Sequence, residues 1–222
     1  MTPPAGPVPS EPSAVPETAD PHRPGSSGEH ELQCAYGTRD RADRFYSEQV
    51  RDRLLPAMVE FVRRMEMVFV ATADASGECD ASLRAGPAGF VQVLDDHTLA
   101  YPEYRGNGVH ASLGNITENG HVGLLMVDFE RDRIGLHVNG GARIVADDEL
   151  RAEHPELRHD PAPGRQAQWW VVVEVEEAYV HCRKHIPQMQ RVAQRRPWGT
   201  DDPAGKGGDY FGARDTAPTQ RR

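Results

Sequence analysis

Cysteine is scarce in this chain of 222 residues: Cys34, Cys79 and Cys182 lie far apart and form no Cys-x-x-Cys pair. That excludes a disulfide framework and argues against a structural zinc site. Long apolar runs are missing as well. No stretch approaches the ~18 to 20 consecutive apolar residues of a membrane-spanning helix. The first residues lack the charged-then-apolar layout of a secretory leader, so a cytoplasmic location is the expectation. There is no basic excess, because 25 Lys and Arg face 34 Asp and Glu for a formal charge of −9. A nucleic-acid partner would call for the opposite field. The basic residues Arg191, Arg195, Arg196, Arg221 and Arg222 are interrupted by Asp201, Asp202, Asp209 and Asp215, which reads as a solvated tail. Finally, a Ser-His-Asp order, an HExxH helix and a P-loop are all absent, which removes hydrolase and nucleotidase chemistry.

The apolar content, 38%, is low, but the two ends account for that. Pro, Ser, Gly, Ala and Thr dominate the beginning, where too little apolar surface exists to offset the entropy of ordering. Residues 1–37 are therefore expected to be a disordered tail and residues 187–222 mostly so. The length between them suits one domain. Residues 38–66 carry Phe45, Leu54, Leu55, Met58, Val59, Val62 and Met65 at three- and four-residue spacing, a helical period. Pro56 suits a first helical turn and clashes inside a helix, so the spacing predicts two helices, packed on the domain that follows.

Residues 67–186 change period. Met67-Val68-Phe69-Val70-Ala71-Thr72-Ala73 is rich in β-formers and closes at Asp74-Ala75-Ser76-Gly77, a turn with glycine available for a positive φ. A strand through Ser82 follows, then a hairpin around Asp95-Asp96-His97, a strand after His121 and a long strand from Ile134 whose Gly140-Gly141 predicts a bulge. A last strand, Gln168 to Val175, follows a polar loop over 147–167. Alternation predicts one ring of Trp169-Trp170 inside and one outside. Six or more strands with hairpin connections and one inserted helix make the chain mainly β, an antiparallel barrel with peripheral helices.

The stretch Tyr101-Pro102-Glu103-Tyr104-Arg105-Gly106-Asn107-Gly108 enters that inserted helix, expected to end at Asn119-Gly120. A glycine-loosened turn feeding a helix N-terminus offers unpaired N–H groups to a phosphate or carboxylate. Ser112 and Asn115 at the helix start either cap it or touch the ligand. No metal site is expected from His181-Cys182-Arg183-Lys184-His185, since strand spacing puts His181 and His185 about 13 Å apart.

In their order and spacing, Val70-Ala71-Thr72-Ala73-Asp74, Ser82-Leu83-Arg84-Ala85-Gly86, the Asn107–Asn115 turn, Val122-Gly123-Leu124-Leu125, Val138-Asn139-Gly140 with Arg143, and Tyr179-Val180-His181 resemble the pyridoxamine 5′-phosphate oxidase-like FMN-binding split-barrel family. The resemblance implies a six-stranded split barrel that forms a homodimer, holds FMN in the groove between the copies and exchanges electrons or hydride with a small organic molecule. It implies cofactor contacts at Ser82, Leu83, Arg84, Tyr101, Asn107, Ser112, Asn139, Arg143 and Lys184. Where the vitamin-making oxidase has an Arg-Lys pair on the phosphate turn, this chain has Asn107-Gly108, and Ile134-Gly135 and His137 replace its Arg-Gln stretch and a further Arg. These departures point away from the authentic oxidase. They leave open a split barrel that uses deazaflavin or haem, and a non-catalytic binding or regulatory module that has lost its cofactor.

Overall fold

The computed structural model describes residues 23–160, 162–193, 198–202 and 204–216, and the chain divides into a unit ending at Val50 and a larger one starting at Arg51. In the first, α1 (Ser27–Ala35) and α2 (Arg39–Gln49) bury no residue fully. Ser26 caps α1 by accepting from the Glu29 N–H, Gln33 donates to the Tyr46 hydroxyl, which donates to Glu29, and Arg23 pairs with Asp43. Helix α1 thus stands inside the segment expected to be a tail. The expectation counted apolar side chains, whereas capping and side-chain hydrogen bonds hold this hairpin.

The second unit is built on one seven-stranded antiparallel sheet in the order β2-β1-β5-β6-β7-β4-β3. Its strands are β1 (Met67–Ala73), β2 (Cys79–Ala85), β3 (Gln92–Val93), β4 (Thr98–Glu103), β5 (His121–Asp128), β6 (Ile134–Ala146) and β7 (Trp169–His181). The hairpin expected around Asp95-Asp96-His97 is β3 and β4, its first arm reduced to Gln92 and Val93 paired with Ala100 and Leu99, and the sheet has seven strands where the resemblance implies six. The two late segments read as separate signals are one strand, β7. Helix α3 (Pro56–Arg64) begins at its proline and buries Phe61 and Val62. α4 (Ala111–Glu118) follows the glycine turn, with Asn119 as its C-cap. α5 (Asp147–Glu153) occupies part of the stretch expected to be loop, because Leu150 is fully buried against Trp170 and Val145.

The curled sheet encloses Val68, Val70, Leu99, Tyr101, Leu124, Met126, Val138, Val171 and Val173, with Ile116 of α4 among them. A smaller apolar layer on the outer side of β4, β6 and β7 holds Trp170, which is 2% exposed while Trp169 is 44% exposed. The outer face of the opposite half is open. Register aligns Leu83, Phe69, Leu125, His137 and Tyr179 in one row across five strands, and Phe69 and Leu83 are 43% and 53% exposed. At the Asn139/Gly140 step β7 carries one extra residue, so Gly140 pairs with Val175 and Asn139 with Glu177. Glycine is needed here: a Cβ on Gly140 would sit 1.9 Å from the Glu174 carbonyl oxygen.

Candidate functional site

β2 is one edge of the curled sheet and β4 lies near the other. Between them, beside the N-terminus of α4, opens a cavity of about 560 Å³. Alternation along β2 turns Asp80, Ser82 and Arg84 to the side of β1 that carries the buried Thr72, Val70 and Val68. The turn supplies Asn107 and α4 supplies Ser112. Asn107 shapes the turn by accepting the Val109 N–H at 3.0 Å, with Gly108 (φ 81°) and His110 (φ 56°) in left-handed backbone. The first N–H groups of α4 are left over by helix geometry, since the His110 side chain caps none of them.

Two acidic residues organise this cavity. Arg84 donates from Nε to Glu103 at 2.7 Å, with side chains 22% and 11% exposed, and its two Nη groups bond nothing else among the described residues. The Ser112 hydroxyl donates to Asp80 at 2.9 Å. Since that uses its one proton, the 2.9 Å contact between Ser82 and Ser112 has Ser82 as donor. Both hydroxyl protons are thus committed, that of Ser82 to Ser112 and that of Ser112 to Asp80. The donors left for a bound anion are the Arg84 Nη fork, the Asn107 amide and the α4 N–H groups.

Ser82, Leu83, Arg84, Asn107 and Ser112 all line this cavity. Tyr101 does not. It is fully buried beneath the site with its hydroxyl unpartnered among the described residues, and burial, then the Glu103 charge, pushes its phenol well above the ordinary range. Asn139 lies outside the lining too and donates to Glu177 at 3.3 Å. Arg143 is exposed on β6, and Lys184 is exposed in a short turn after β7. Asn115 points into the fold and donates to Thr72.

Among the other lining residues, Asp80, Glu103, Tyr104 and Trp198 were given no role of their own by sequence reasoning. Glu103, within the Tyr101–Arg105 string, was readable as an acidic residue beside an anion turn. Tyr104 separates the cavity from a second one of about 420 Å³ that holds Arg151, Arg165 and Asp160. Its phenol is pushed up to about 12, first by burial and then by Asp160, against Arg165. On the outer face His137 Nε2 and His181 Nδ1 share a 2.9 Å hydrogen bond, and His137 stacks on Tyr179. Burial, then the neighbouring His181, lowers the His137 pKa from its ordinary 6.5.

Comparison with protein families matches residues 54–182 to pyridoxamine 5′-phosphate oxidase. HupZ from Group A Streptococcus is 22% identical over 62% of this chain and 99% of its own, with a TM-score of 0.45. The haem storage protein HutZ from Vibrio cholerae is 19% identical over 58% of this chain and 94% of its own, with a TM-score of 0.41. A pyridoxamine 5′-phosphate oxidase-related, FMN-binding protein from Nostoc punctiforme is 12% identical over 57% of this chain and 84% of its own, with a TM-score of 0.40. No curated protein matches. The family match spans more than half of the sequence, and the chain belongs to the pyridoxamine 5′-phosphate oxidase family of split barrels.

Proposed function

We propose that this member of the family is an FMN-dependent oxidoreductase whose cavity between β2, the Asn107 turn and α4 takes the flavin phosphate. The observation that carries the reading is the convergence of Arg84, Asn107 and the α4 N-terminus on one cavity from three separate elements. The donor set fits a phosphate: a guanidinium fork, an amide and helix N–H groups in one concavity. Bound flavin supplies the redox chemistry, accepting and returning hydride or electrons. Arg84 orients the phosphate through its Nη groups while Glu103 holds its Nε, and Asn107 and α4 fix the anion's position. Tyr101 packs in the core beneath the site, outside its lining. Asn139 and Arg143 are kept as contacts to the flavin in the groove between two copies, with Lys184 as a cation at its margin.

The exposed row of Leu83 and Phe69, continued by Leu125 to His137 and Tyr179, supports a second copy as the partner of this face. Light scattering tests it directly: a dimer is expected, and a clean monomer refutes the shared groove. The visible absorption spectrum of the purified protein, before and after addition of FMN, tests the cofactor. Flavin peaks that survive desalting are expected. A Soret band, or the spectrum of a deazaflavin, assigns the cavity to another cofactor instead. A second reading, a binding or regulatory module without cofactor, draws on Asp80 and Glu103, whose carboxylates line the cavity and repel an anion. A colourless protein that retains no added flavin favours it.

A further inference from the structure

The C-terminal segment returns to the site. Arg105, on the turn that leads into α4, extends its Nη2 to both carboxylate oxygens of Asp201 at 2.8 Å. Lys206 reaches the same carboxylate at 3.3 Å. These contacts, Arg105 first, hold the Asp201 carboxyl below its ordinary range, so it is an anion at neutral pH. Trp198 sets its ring edge-on to Tyr104, with centroids 5.9 Å apart, and lies 5.7 Å from the Arg165 guanidinium.

The backbone is shaped for this return. Gly164 and Gly199, both at positive φ, approach so closely that a Cβ on Gly164 would lie 2.5 Å from the Gly199 nitrogen. Gly106, Asn107 and Trp198 line both the cavity and a second space of about 450 Å³ between the segment and the turn. The two spaces therefore share a wall, and Trp198 is part of it.

We propose that Arg105 is an anion-binding residue of this site and that Asp201 is its internal occupant, so that a phosphate-bearing ligand gains full access by displacing the segment around Trp198 and Asp201. The argument rests on the reading of the cavity as a flavin phosphate site. Four observations combine. The turn lacks a second cation at Asn107-Gly108, Arg105 is the guanidinium adjoining it, a carboxylate from 96 residues away covers that guanidinium, and the covering segment also walls the cavity. The ion pair is exposed, with side chains 60% and 67% accessible. Such pairs are weak and salt-sensitive, which lets a ligand anion compete for the cation. A site whose competent form is one of two states binds with its intrinsic affinity reduced by the closed fraction.

The test titrates FMN and riboflavin, which differ by the phosphate alone, into the full chain and its Asp201→Asn and Arg105→Ala variants. Hydrogen exchange at residues 198–202 is followed in parallel. Asp201→Asn is expected to tighten FMN about two- to fivefold, the range an exposed ion pair supports, with a smaller change for riboflavin. Arg105→Ala is expected to weaken FMN, and FMN to speed exchange at 198–202 in the unaltered chain. Equal FMN affinity in the full chain and Asp201→Asn, with flavin bound by both, overturns the gate and leaves the flavin reading intact. If no chain binds either flavin, the flavin reading fails, and inorganic pyrophosphate becomes the probe. Faster exchange at 198–202 on adding pyrophosphate to the full chain but not to Arg105→Ala upholds the gate, and unchanged exchange overturns it.

Discussion

Removing Arg84 strips the partner from Glu103, whose side chain is only 11% exposed, and takes away the cation assigned to the phosphate. A hydrogen bond to a charged group contributes about 1.5–3 kcal/mol, and stranding a half-desolvated carboxylate adds to the loss. With Arg84 22% exposed, solvent moderates both effects. Arg84→Ala is therefore expected to destabilise by about 2–3 kcal/mol. For a chain of this size each kcal/mol moves the midpoint by about 2–4 °C, so Tm falls by roughly 4–12 °C. Glu103→Gln keeps an acceptor for Arg84 Nε and costs about 1 kcal/mol. The double variant is expected to fall short of the sum by about 1–2 kcal/mol, because the pair is in direct contact. Thermal and denaturant unfolding followed by circular dichroism measure the cycle. FMN titration of the same proteins separates structure from binding: Arg84→Ala weakens FMN and Glu103→Gln tightens it. Additive destabilisation refutes the coupling, and FMN affinity untouched by Arg84→Ala refutes the placement of the phosphate.

The Tyr101 hydroxyl is buried without a partner among the described residues, so Tyr101→Phe is expected to be neutral or stabilising by up to about 1–3 kcal/mol in denaturant unfolding. A loss instead reveals a polar partner for the phenol. His137 titrates below its ordinary 6.5 in the fold, so the unfolded chain binds protons more readily. Stability drops as pH falls from about 6.5 toward the folded pKa and is unaffected by His137 well above it. His137→Phe is expected to flatten that slope in unfolding measured between pH 5 and 8, values spanning the ordinary histidine range. Gly140→Ala drives a methyl into the Glu174 carbonyl, whereas a Cβ on Gly141 meets nothing closer than 4.0 Å. Gly140→Ala should cost at least about 2–3 kcal/mol in denaturant unfolding and Gly141→Ala less than about 1; equal costs overturn the bulge argument.

Local signals in the sequence marked the elements well where a period and a breaker coincide. Met67–Ala73 ends at a turn whose Gly77 takes φ 83°, Pro56 opens α3, and Gly140 marks the bulge. Strand β7 was cut in two because Glu174, Glu176 and Glu177 interrupt its apolar run; those positions face outward or sit at the bulge. The hairpin around Asp95-Asp96-His97 was legible from its flanking apolar runs, and its first arm is the short β3. In the site, Ser82, Arg84, Asn107 and Ser112 line one cavity; the turn-plus-helix reading pointed to Asn107 and Ser112, and the resemblance to Ser82 and Arg84. Of their acidic counterparts, Glu103 stands beside the turn in the sequence, whereas Asp80 joins the site only through register and curl, which sequence spacing does not encode. The pairing of Arg105 with Asp201 spans 96 residues and joins a turn to a segment whose composition carries no fold signal.

The extra residue in β7 has a consequence for how this protein tolerates change in length. Before the step, odd-numbered Val171, Val173 and Val175 point into the core; after it, even-numbered Ala178 does. The strand therefore changes phase at Glu176, while β6 beside it keeps Leu136, Val138, Ala142 and Ile144 in one phase. Deleting Glu176 itself leaves plain alternation, with Glu177 outward after Val175 and Ala178 still inward, so the strand straightens and keeps both faces. Deleting one residue between Val171 and Val175 has the opposite effect, because the phase change then has nothing to absorb and one stretch of the strand exchanges lining for surface. This step is thus the place along β7 where the loss of one residue is best forgiven.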